Sequence, residues 1–565
     1  MGQVKKRGAI PELCRRLLKA KGLVEEKDIE AFLYPKLKDL PKPSLMKGLA
    51  AAVGLVVEYI DQGYQIVVWG DYDVDGTTST GLLVNFFKEI GVEVIYHIPN
   101  RLTEGYGLNT EWFKDEISSF KSRRFLLITV DCGIANSEEI EVIKGLGGDV
   151  VVTDHHSIPL TGMPNCCVLN PAQQDCGFHE HKLAGVGVAF YLAAGIRAEL
   201  AKSTAFKVKA SSVNLKNYLA FVALGTVADL VEITTTNRIL VRAGLESLLE
   251  TPFEGLAALL TSCGLFGDQI TSEDIGFLLG PKINAAGRLG KSSVAIELFV
   301  AVDSTEAKKG ADRLERLNLK RKSICEVDFE NASRISSKSV IQSRFCCICS
   351  GEYHLGVAGI VASRLVDEFK FPAIVFAENT DRFGLVSLKG SVRSVEGISV
   401  IQALNDCADT IVKFGGHDMA AGLTIRPEDL DVFARKLSKC LQAQFERLAN
   451  KRTFVTPVEA SVDQVMDRDT LEFLNNFEPF GPGNVAPVFR DRGSRIVQAK
   501  TVGKGNAHLN VVVRGEYANY KGIGFNLGDK ISAVQESPER TISFVPTKNR
   551  YRGTVSWQLR IVDLQ

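Results

Sequence analysis

From about residue 65 the chain alternates blocks of apolar and amphipathic sequence. QIVVW, at 65–69, is a short continuous apolar run that reads as a buried strand. TTSTGLLVNFFKEIG after it has helical periodicity, and VEVIYHI reads as a further strand. Residues 110–121 look helical, RFLLITV is a strand, SEEIEVIKGLG a helix and GDVVVT a strand. Alternation of this kind predicts a βαβ series with a mostly parallel sheet, in which ligands sit beyond the carboxyl ends of the strands.

Downstream the pattern changes twice. Residues 235–330 are richer in helical pattern and end in KKGADRLERLNLKRKS, a charged stretch that predicts a long connecting helix. A second α/β segment follows, with strands at FCCICS, PAIVFA and GLVSLKG, helices near 357–369 and 428–447, and glycines clustered in SGEYHLGVAGI and KFGGHDMAAG. From about 453 come short strands only: TFVTPVEA, SRIVQAK, HLNVVVR, YKGIGFN, TISFVPT and SWQLRIV. Strand after strand with no intervening helix predicts a small β-barrel of the OB type. The expected division is therefore an N-terminal helical segment (1–60), an α/β unit (61–235), a helical region with the connecting helix (236–335), a second α/β unit (336–450) and the barrel (451–565). Several domains are needed in any case, because one hydrophobic core stops growing near ~250–300 residues and this chain has 565.

Composition narrows the picture by exclusion. The apolar share is 45% and the charged share 24%, values of an ordinary globular chain, so no disordered or fibrous stretch is expected. Lys+Arg and Asp+Glu both number 67, so any nucleic-acid site must be a local patch. No apolar run approaches the ~20 residues of a membrane span, and MGQVKKRGAIPELCRR lacks the apolar stretch of an export signal. A cytoplasmic protein without a membrane role is expected. The 12 cysteines then read as reduced thiols, and Cys346, Cys347 and Cys349, in the apolar run FCCICS, read as buried strand residues with no zinc.

The chemistry gathers at strand ends. QIVVW runs into GDYDVDGTTS, placing Asp71, Asp73 and Asp75 at alternate positions, on one face if the backbone stays extended. RFLLITV runs into Asp131, and GDVVVT into Asp154, His155 and His156. Crowded carboxylates repel one another unless a cation compensates, and this donor set suits Mg²⁺ or Mn²⁺. Singly, each residue also fits a cap, a solvated turn or a core histidine; jointly, three strand ends of one sheet point to a metal site. Adjacent His155 and His156 are expected to point different ways, so His155 is assigned to metal and His156 to an outer contact or a phosphate. Asp229, after LAFVALGTVA, can close the cluster or cap a helix. In the barrel, Tyr517, Tyr520 and Phe525 interleave with Lys521, which suits base stacking with phosphate contact, or simply a barrel core.

DYDVDG, VDCGI, the Asp-His-His triplet and GTVADL resemble the successive signatures of the DHH phosphoesterase superfamily. IPNRLTEGYGL, GPKINAAGRLG, GVAGIVASRL, SVRS, GGH and FEPFGPGN are similar, in order, to those of its RecJ family. The likeness runs from about residue 45 to the end. It implies a Rossmann-like parallel-sheet DHH domain, a long connecting helix, a DHHA1-type second α/β domain that binds nucleic acid, and a C-terminal OB-fold. It implies one or two Mn²⁺ or Mg²⁺ ions held by Asp73, Asp75, Asp131, His155 and Asp229, with Asp71 and His156 close by. Arg101, Arg288, Ser391 and Arg393 would contact backbone phosphates or a 5′ end, with His354 and His417 as further phosphate contacts.

The activity implied is a metal-dependent exonuclease that degrades single-stranded DNA 5′ to 3′ into 5′-mononucleotides, in repair and recombination. A monomer is expected, with a single-strand-binding protein and a helicase as candidate partners. Two departures stand out: VEITTTNR follows the ADL segment, and no further domain is expected after the barrel. The rival readings are a phosphodiesterase of short oligonucleotides or cyclic dinucleotides, which needs no barrel, and a non-catalytic single-strand-binding replication scaffold, which needs no metal ligands.

Overall fold

The structure is a computed structural model that describes residues 9–265, 269–341, 345–380, 384–448, 457–551 and 554–565; the side chains of 338–341, 448, 551 and 554 fall outside that description. Residues 453–456, the start of the expected first barrel strand, also lie outside the described residues.

The first α/β unit is built on five strands, β1 (Gln65–Gly70), β2 (Ile95–His97), β3 (Phe125–Val130), β4 (Gly148–Thr153) and β5 (Cys167–Leu169). They lie in the order β2-β1-β3-β4-β5, every neighbour parallel. The continuous apolar runs of β1 and β3 follow from burial on both faces, since every residue of both strands is buried. One face packs against helices Leu49–Asp61, Val74–Glu89, Gly185–Leu200 and Leu215–Ala228. Trp69, Phe113, Ile140 and Ile143 fill the other. Helix Val74–Glu89 runs through the core although it opens with hydroxyl residues. Thr78 and Thr80 satisfy their hydroxyls on the carbonyls of Val74 (2.7 Å) and Gly76 (2.8 Å), so neither is buried without a partner.

The charged stretch forms a single helix, Ser304–Ile341, of 38 residues and about 57 Å, which links the two α/β units. The second sheet contains β6 (Cys347–Gly351), β7 (Ala373–Thr380), β8 (Val386–Arg393), β9 (Lys413–His417) and β10 (Ala420–Ile425), in the order β6-β7-β8-β10-β9. Only β6 and β7 are parallel. Cys346, Cys347 and Cys349 are buried free thiols.

The third sheet, β11 (Val458–Glu459), β12 (Phe489–Val502), β13 (His508–Arg514), β14 (Asn519–Gly524), β15 (Glu539–Tyr551) and β16 (Thr554–Leu564), closes on itself where β12 also pairs with β15. The expectation of strands without helices needs correction. Helices Val462–Met466, Arg468–Leu474 and Ile531–Glu536 lie within this region. Each has five to seven residues, too few to display a 3.6-residue period.

The N-terminal helices do not form a unit of their own. Leu13, Cys14, Leu17, Leu18 and Leu33, from helices Glu12–Ala20 and Glu26–Leu33, share one core with Phe477, Phe489, Leu509 and Phe544 of the barrel region. Helix Leu49–Asp61 packs on the first sheet instead. No local pattern records a partner more than 400 residues away, so a boundary at 60 is invisible to periodicity. Arg238 fastens the seam: Nε donates to Phe32 O (2.9 Å), Nη1 to Phe477 O (3.0 Å) and Nη2 to Asn476 O (2.9 Å). Among the described residues no single helix is long and apolar enough to cross a membrane.

Candidate metal centre

Strand β1 ends at Gly70, and the chain turns at once instead of staying extended. Asp73 is the N-cap of helix Val74–Glu89, its carboxylate accepting from Gly76 N (3.0 Å), and Asp75 lies in the first turn. Strand alternation therefore does not align the three acids; a capped turn gathers them. A Cβ on Gly76 would meet Asp71 N at 2.5 Å, so the turn tolerates only glycine there. Asp75 points inward and accepts from Gly185 N (2.7 Å) and Val186 N (2.9 Å) at the start of helix Gly185–Leu200. Asp131 follows β3 with φ of 60°, a left-handed conformation that aspartate tolerates better than most residues. Asp229 is the C-cap of helix Leu215–Ala228, so its two readings, cap and cluster member, both hold.

These elements converge. His155 Nε2 lies 3.1 Å from Asp131 Oδ1, 3.5 Å from Asp229 Oδ2 and 3.8 Å from Asp75 Oδ2. Three sets of ligand atoms fall within 4.8 Å of one another: Asp71, Asp73 and Asp131; Asp75, His155 and Asp229; Asp131, His155 and His156. Among the described residues, Asp71 Oδ1, Asp131 Oδ1 and His155 Nε2 are buried with no hydrogen-bond partner. Burial first, then mutual repulsion, pushes the Asp71, Asp75 and Asp131 carboxyls well above their usual range, and Asp229 is pushed up to about 7 by burial and by Asp73. Unpartnered oxygens and an imidazole aimed at common points are what a divalent cation satisfies, so the residues fit Mn²⁺ or Mg²⁺.

The histidines correct a second expectation. Their rings lie side by side, centroids 4.5 Å apart, and both face Asp131, His156 Nδ1 at 3.9 Å. β4 ends at Thr153, so strand alternation no longer separates them. Asp154, which carries no sequence signal beyond its place in the Asp-His-His triplet, does the sorting. Its Oδ1 accepts from His155 N (2.7 Å) and His156 N (3.0 Å) and lies 2.8 Å from His156 Nδ1, while Oδ2 accepts from Ile134 N (3.0 Å). Burial, then His156, lowers His155 to about 4. Burial also acts to lower His156, but the hydrogen bond and charge of Asp154 outweigh it and raise it to about 9. The two imidazoles are thus shifted in opposite directions.

Beside the acids stands a cluster of guanidinium groups. Burial, then Arg101, Arg393 and Arg321, lowers Arg288 to about 10, and Arg288 Nη1 donates to Gly356 O (3.2 Å) in the second lobe. Arg101 sits 5.0 Å over the Tyr72 ring. A Cβ built on Gly359 would come within 2.9 Å of Arg393 Nη2 and 3.7 Å of Ser391 Oγ, which places both at the start of helix Ala358–Phe369. A Cβ on Gly356 would meet Arg288 O at 1.8 Å, so the lobes touch here backbone to backbone. Among the described residues no carboxylate pairs with Arg101, Arg288, Arg321 or Arg393. Arg321, on the connecting helix, carried no sequence signal beyond its place in a charged stretch.

The remaining expected contacts are less central. His354 braces the turn at the lobe contact, its N–H donating to Asp328 Oδ2 (3.0 Å) and its Nδ1 accepting from Gly356 N (3.1 Å). His417 stands at the sheet edge in register with Arg393, Ala420 lying between them. Tyr520 is a structural residue and not a free stacking face: it packs on the barrel core and donates to Asp463 Oδ1 (2.9 Å). Tyr517 and Phe525 are exposed, at 82% and 57%, and Lys521 is exposed as well.

Comparison with known proteins agrees with this architecture. Residues 65–226 match the DHH family, N-terminal domain, 338–443 the DHHA1 domain and 458–563 the RecJ OB domain. The single-stranded-DNA-specific exonuclease RecJ of Escherichia coli is 33% identical over 98% of this chain and 96% of its own length. That of Haemophilus influenzae is 31% identical over 97% and 95%. The crystal structure of Thermus thermophilus RecJ in complex with Mn²⁺ superposes with a TM-score of 0.78 at 28% identity, covering 97% of this chain and 75% of that one; a complex of the same protein with Mg²⁺ gives 0.71. With the fold, the domain order and nearly the whole length in common, the chain belongs to the RecJ family of the DHH phosphoesterases.

Proposed function

We propose that this chain is a metal-dependent exonuclease that degrades single-stranded DNA from the 5′ end toward the 3′ end, releasing 5′-mononucleotides in repair and recombination. The observation that carries the reading is the convergence of buried acid and imidazole atoms, unpartnered among the described residues, beyond the carboxyl ends of β1, β3 and β4, beside an arginine cluster whose charges reach those acids and which, among the described residues, forms no ion pair of its own.

In this reading Asp71, Asp73, Asp75, Asp131, His155 and Asp229 hold one or two Mn²⁺ or Mg²⁺ ions. Bound there, the ions supply Lewis acidity, activating water and neutralising charge on the attacking and leaving oxygens. The chain does the rest. His155, neutral and with Nε2 facing three carboxylates, is a ligand; His156, paired to Asp154, offers positive charge to the phosphate. Asp75, tied to Gly185 N and Val186 N, keeps its position before any ion binds. Arg101, Arg288, Ser391 and Arg393 grip the terminal phosphate, which fixes polarity, and guanidinium forks suit that task. His354 acts by shaping the lobe contact, and His417 as an outer phosphate contact. The barrel holds the strand beyond the scissile bond.

A single-strand-binding protein and a helicase are the partners such an activity calls for, and we take the chain to act as a monomer in the cytoplasm. Digestion of end-labelled single-stranded, duplex and closed circular DNA with Mn²⁺, Mg²⁺ or chelator tests the reading. Release of 5′-mononucleotides from linear single strands is expected. Efficient cutting of closed circles, or turnover in chelator, overturns it.

A further inference from the structure

Residues 98–109, between β2 and helix Thr110–Glu116, form a loop without regular structure, yet it presents two groups to the site. One is Arg101, 5.0 Å over Tyr72 beside the arginine cluster. The other is Tyr106, whose hydroxyl donates to Asp131 O (3.4 Å) and stands 3.4 Å from His156 Nδ1. A twelve-residue irregular loop holds neither group by itself, since each ordered residue opposes ~1–2 kcal/mol of backbone entropy. Something must hold it.

Glu104 lies between the two groups and is half-buried. Oε1 accepts from Asn100 N at 2.8 Å, next to Arg101. Oε2 lies 3.0 Å from His97 Nε2 and accepts from Asn109 Nδ2 at 3.3 Å. Both partners are anchored outside the loop. His97 ends β2 with its ring against Trp69 (4.4 Å) and Trp112 (4.8 Å), and Asn109 caps the next helix by accepting from Glu111 N (3.1 Å). Burial would raise the Glu104 carboxyl, but the hydrogen bonds from Asn100 and His97 outweigh it and hold it below its ordinary value. Two further ties join the loop to the segment after Arg288: Asn100 Nδ2 to Gly290 O (3.2 Å) and Ser292 Oγ to Pro99 O (3.0 Å).

We propose that Glu104 is a positioning residue for the nuclease reaction: its carboxylate splints the 98–109 loop, so that Arg101 faces the phosphate pocket and Tyr106 spans Asp131 and His156. Glu104 touches no DNA. It acts through Arg101, and the inference rests on the reading of the arginine cluster as the terminal-phosphate site. A group displaced by about 1 Å in such a pocket can cost ~10²-fold in rate.

The test compares kcat/KM on 5′-phosphorylated and 5′-hydroxyl single strands for the wild type, Arg101→Ala, Glu104→Gln, Glu104→Ala and the Arg101→Ala/Glu104→Ala double variant, with Mn²⁺ binding followed by calorimetry. Arg101→Ala lowers the preference for the phosphorylated end. Glu104→Ala lowers it too, on the order of 10- to 100-fold, with Mn²⁺ affinity unchanged. Glu104→Gln falls between, because its carbonyl still accepts from Asn100 N. In its preference for the phosphorylated end the double variant is no worse than Arg101→Ala alone, because on that ratio Glu104 acts only through Arg101. If Glu104→Gln and Glu104→Ala lose only thermal stability and keep the wild-type preference, or if the double variant multiplies the two losses, the splint role is wrong. Should Glu104→Ala not fold, Glu104→Gln decides on the same criterion. If Arg101→Ala itself leaves the preference intact, the phosphate-site reading falls first, and the splint falls with it.

Discussion

At Asp131 burial and charge both oppose a metal-free protein: it is 2% exposed, and Asp75, Asp73, Asp71 and Asp229 all repel its carboxylate. Replacing it with asparagine keeps the shape and removes one of the repelling charges. Asp131→Asn is therefore expected to raise the metal-free melting temperature, while cleavage falls on the order of 10³-fold or more. It also removes most of the rise in melting temperature on adding Mn²⁺, since a ligand stabilises only the state that binds it. Thermal unfolding with and without Mn²⁺, beside a nuclease assay, checks all three; near-normal turnover by the folded variant refutes the site. Asp154 is a different kind of acid, since its carboxylate is taken up by the amides of Ile134, His155 and His156 and by one ring, and among the described residues pairs with no other carboxylate. Asp154→Asn should leave Mn²⁺ affinity within a few-fold and lower kcat much more, because it frees His156 to turn and takes away the charge that keeps it protonated. Equal losses in metal affinity and kcat would show Asp154 to be part of the metal site itself.

Among the elements, the first two helices show how far a segment's role can lie from its place in the chain. Leu13, Leu17 and Leu18 form one face of helix Glu12–Ala20, and that face is buried against the barrel region. Arg16 Nη2 donates to Glu459 O (2.8 Å) and Lys21 Nζ to Asn484 Oδ1 (2.8 Å), so the helix is tied down by hydrogen bonds as well. Leu17→Ala should cost about 2–5 kcal/mol through the cavity it leaves. The loss belongs to unfolding of the barrel, so Mn²⁺-dependent hydrolysis of a trimer should be unchanged under conditions where the variant is folded. Differential scanning calorimetry with a trimer assay separates the two outcomes, and parallel loss of both would place this helix in the catalytic unit.

For the whole molecule the seam between catalytic unit and barrel is the joint to probe. Glu478 is half-buried there, its carboxylate accepting from Phe480 N (2.9 Å) and Ser272 Oγ (3.3 Å), and burial, outweighing those bonds, pushes it up to about 7. A carboxyl raised on folding stabilises the fold most below its unfolded value near 4.5, and that stability is lost as pH rises through about 7. The full swing is on the order of 3 kcal/mol. Melting temperature should thus fall between pH 5 and 8 by more in the wild type than in Glu478→Gln; identical slopes would remove Glu478 as the cause. The seam also bears on truncation. Removing the barrel alone uncovers Leu13, Leu17, Leu18 and Leu33, so a fair truncation takes residues 1–35 together with 457–565. Such a protein should hydrolyse a trimer nearly as well as the full chain but lose long strands, at roughly 1–3 kcal/mol per base no longer stacked. Equal loss on trimer and fifty-mer would make the barrel a structural support only.

Much of this was legible along the chain, for local reasons. Apolar runs of five or six residues broken by helical periods are enough to predict a parallel sheet, and acids placed directly after such runs must meet at one end of it, because parallel strands all end on the same side. Asp71, Asp131 and the Asp-His-His triplet were visible on that ground. The manner of their meeting was not. Whether the backbone after Gly70 stays extended or caps a helix depends on Gly76 closing against Asp71, and whether two adjacent histidines face one point depends on the carboxylate of Asp154 between them and Ile134. The pairing of the first helices with a barrel over 400 residues away, the Glu104 tie and the Arg321 approach are contacts between segments with no common period. Periodicity records which face of an element is buried. Only the tertiary structure decides against what.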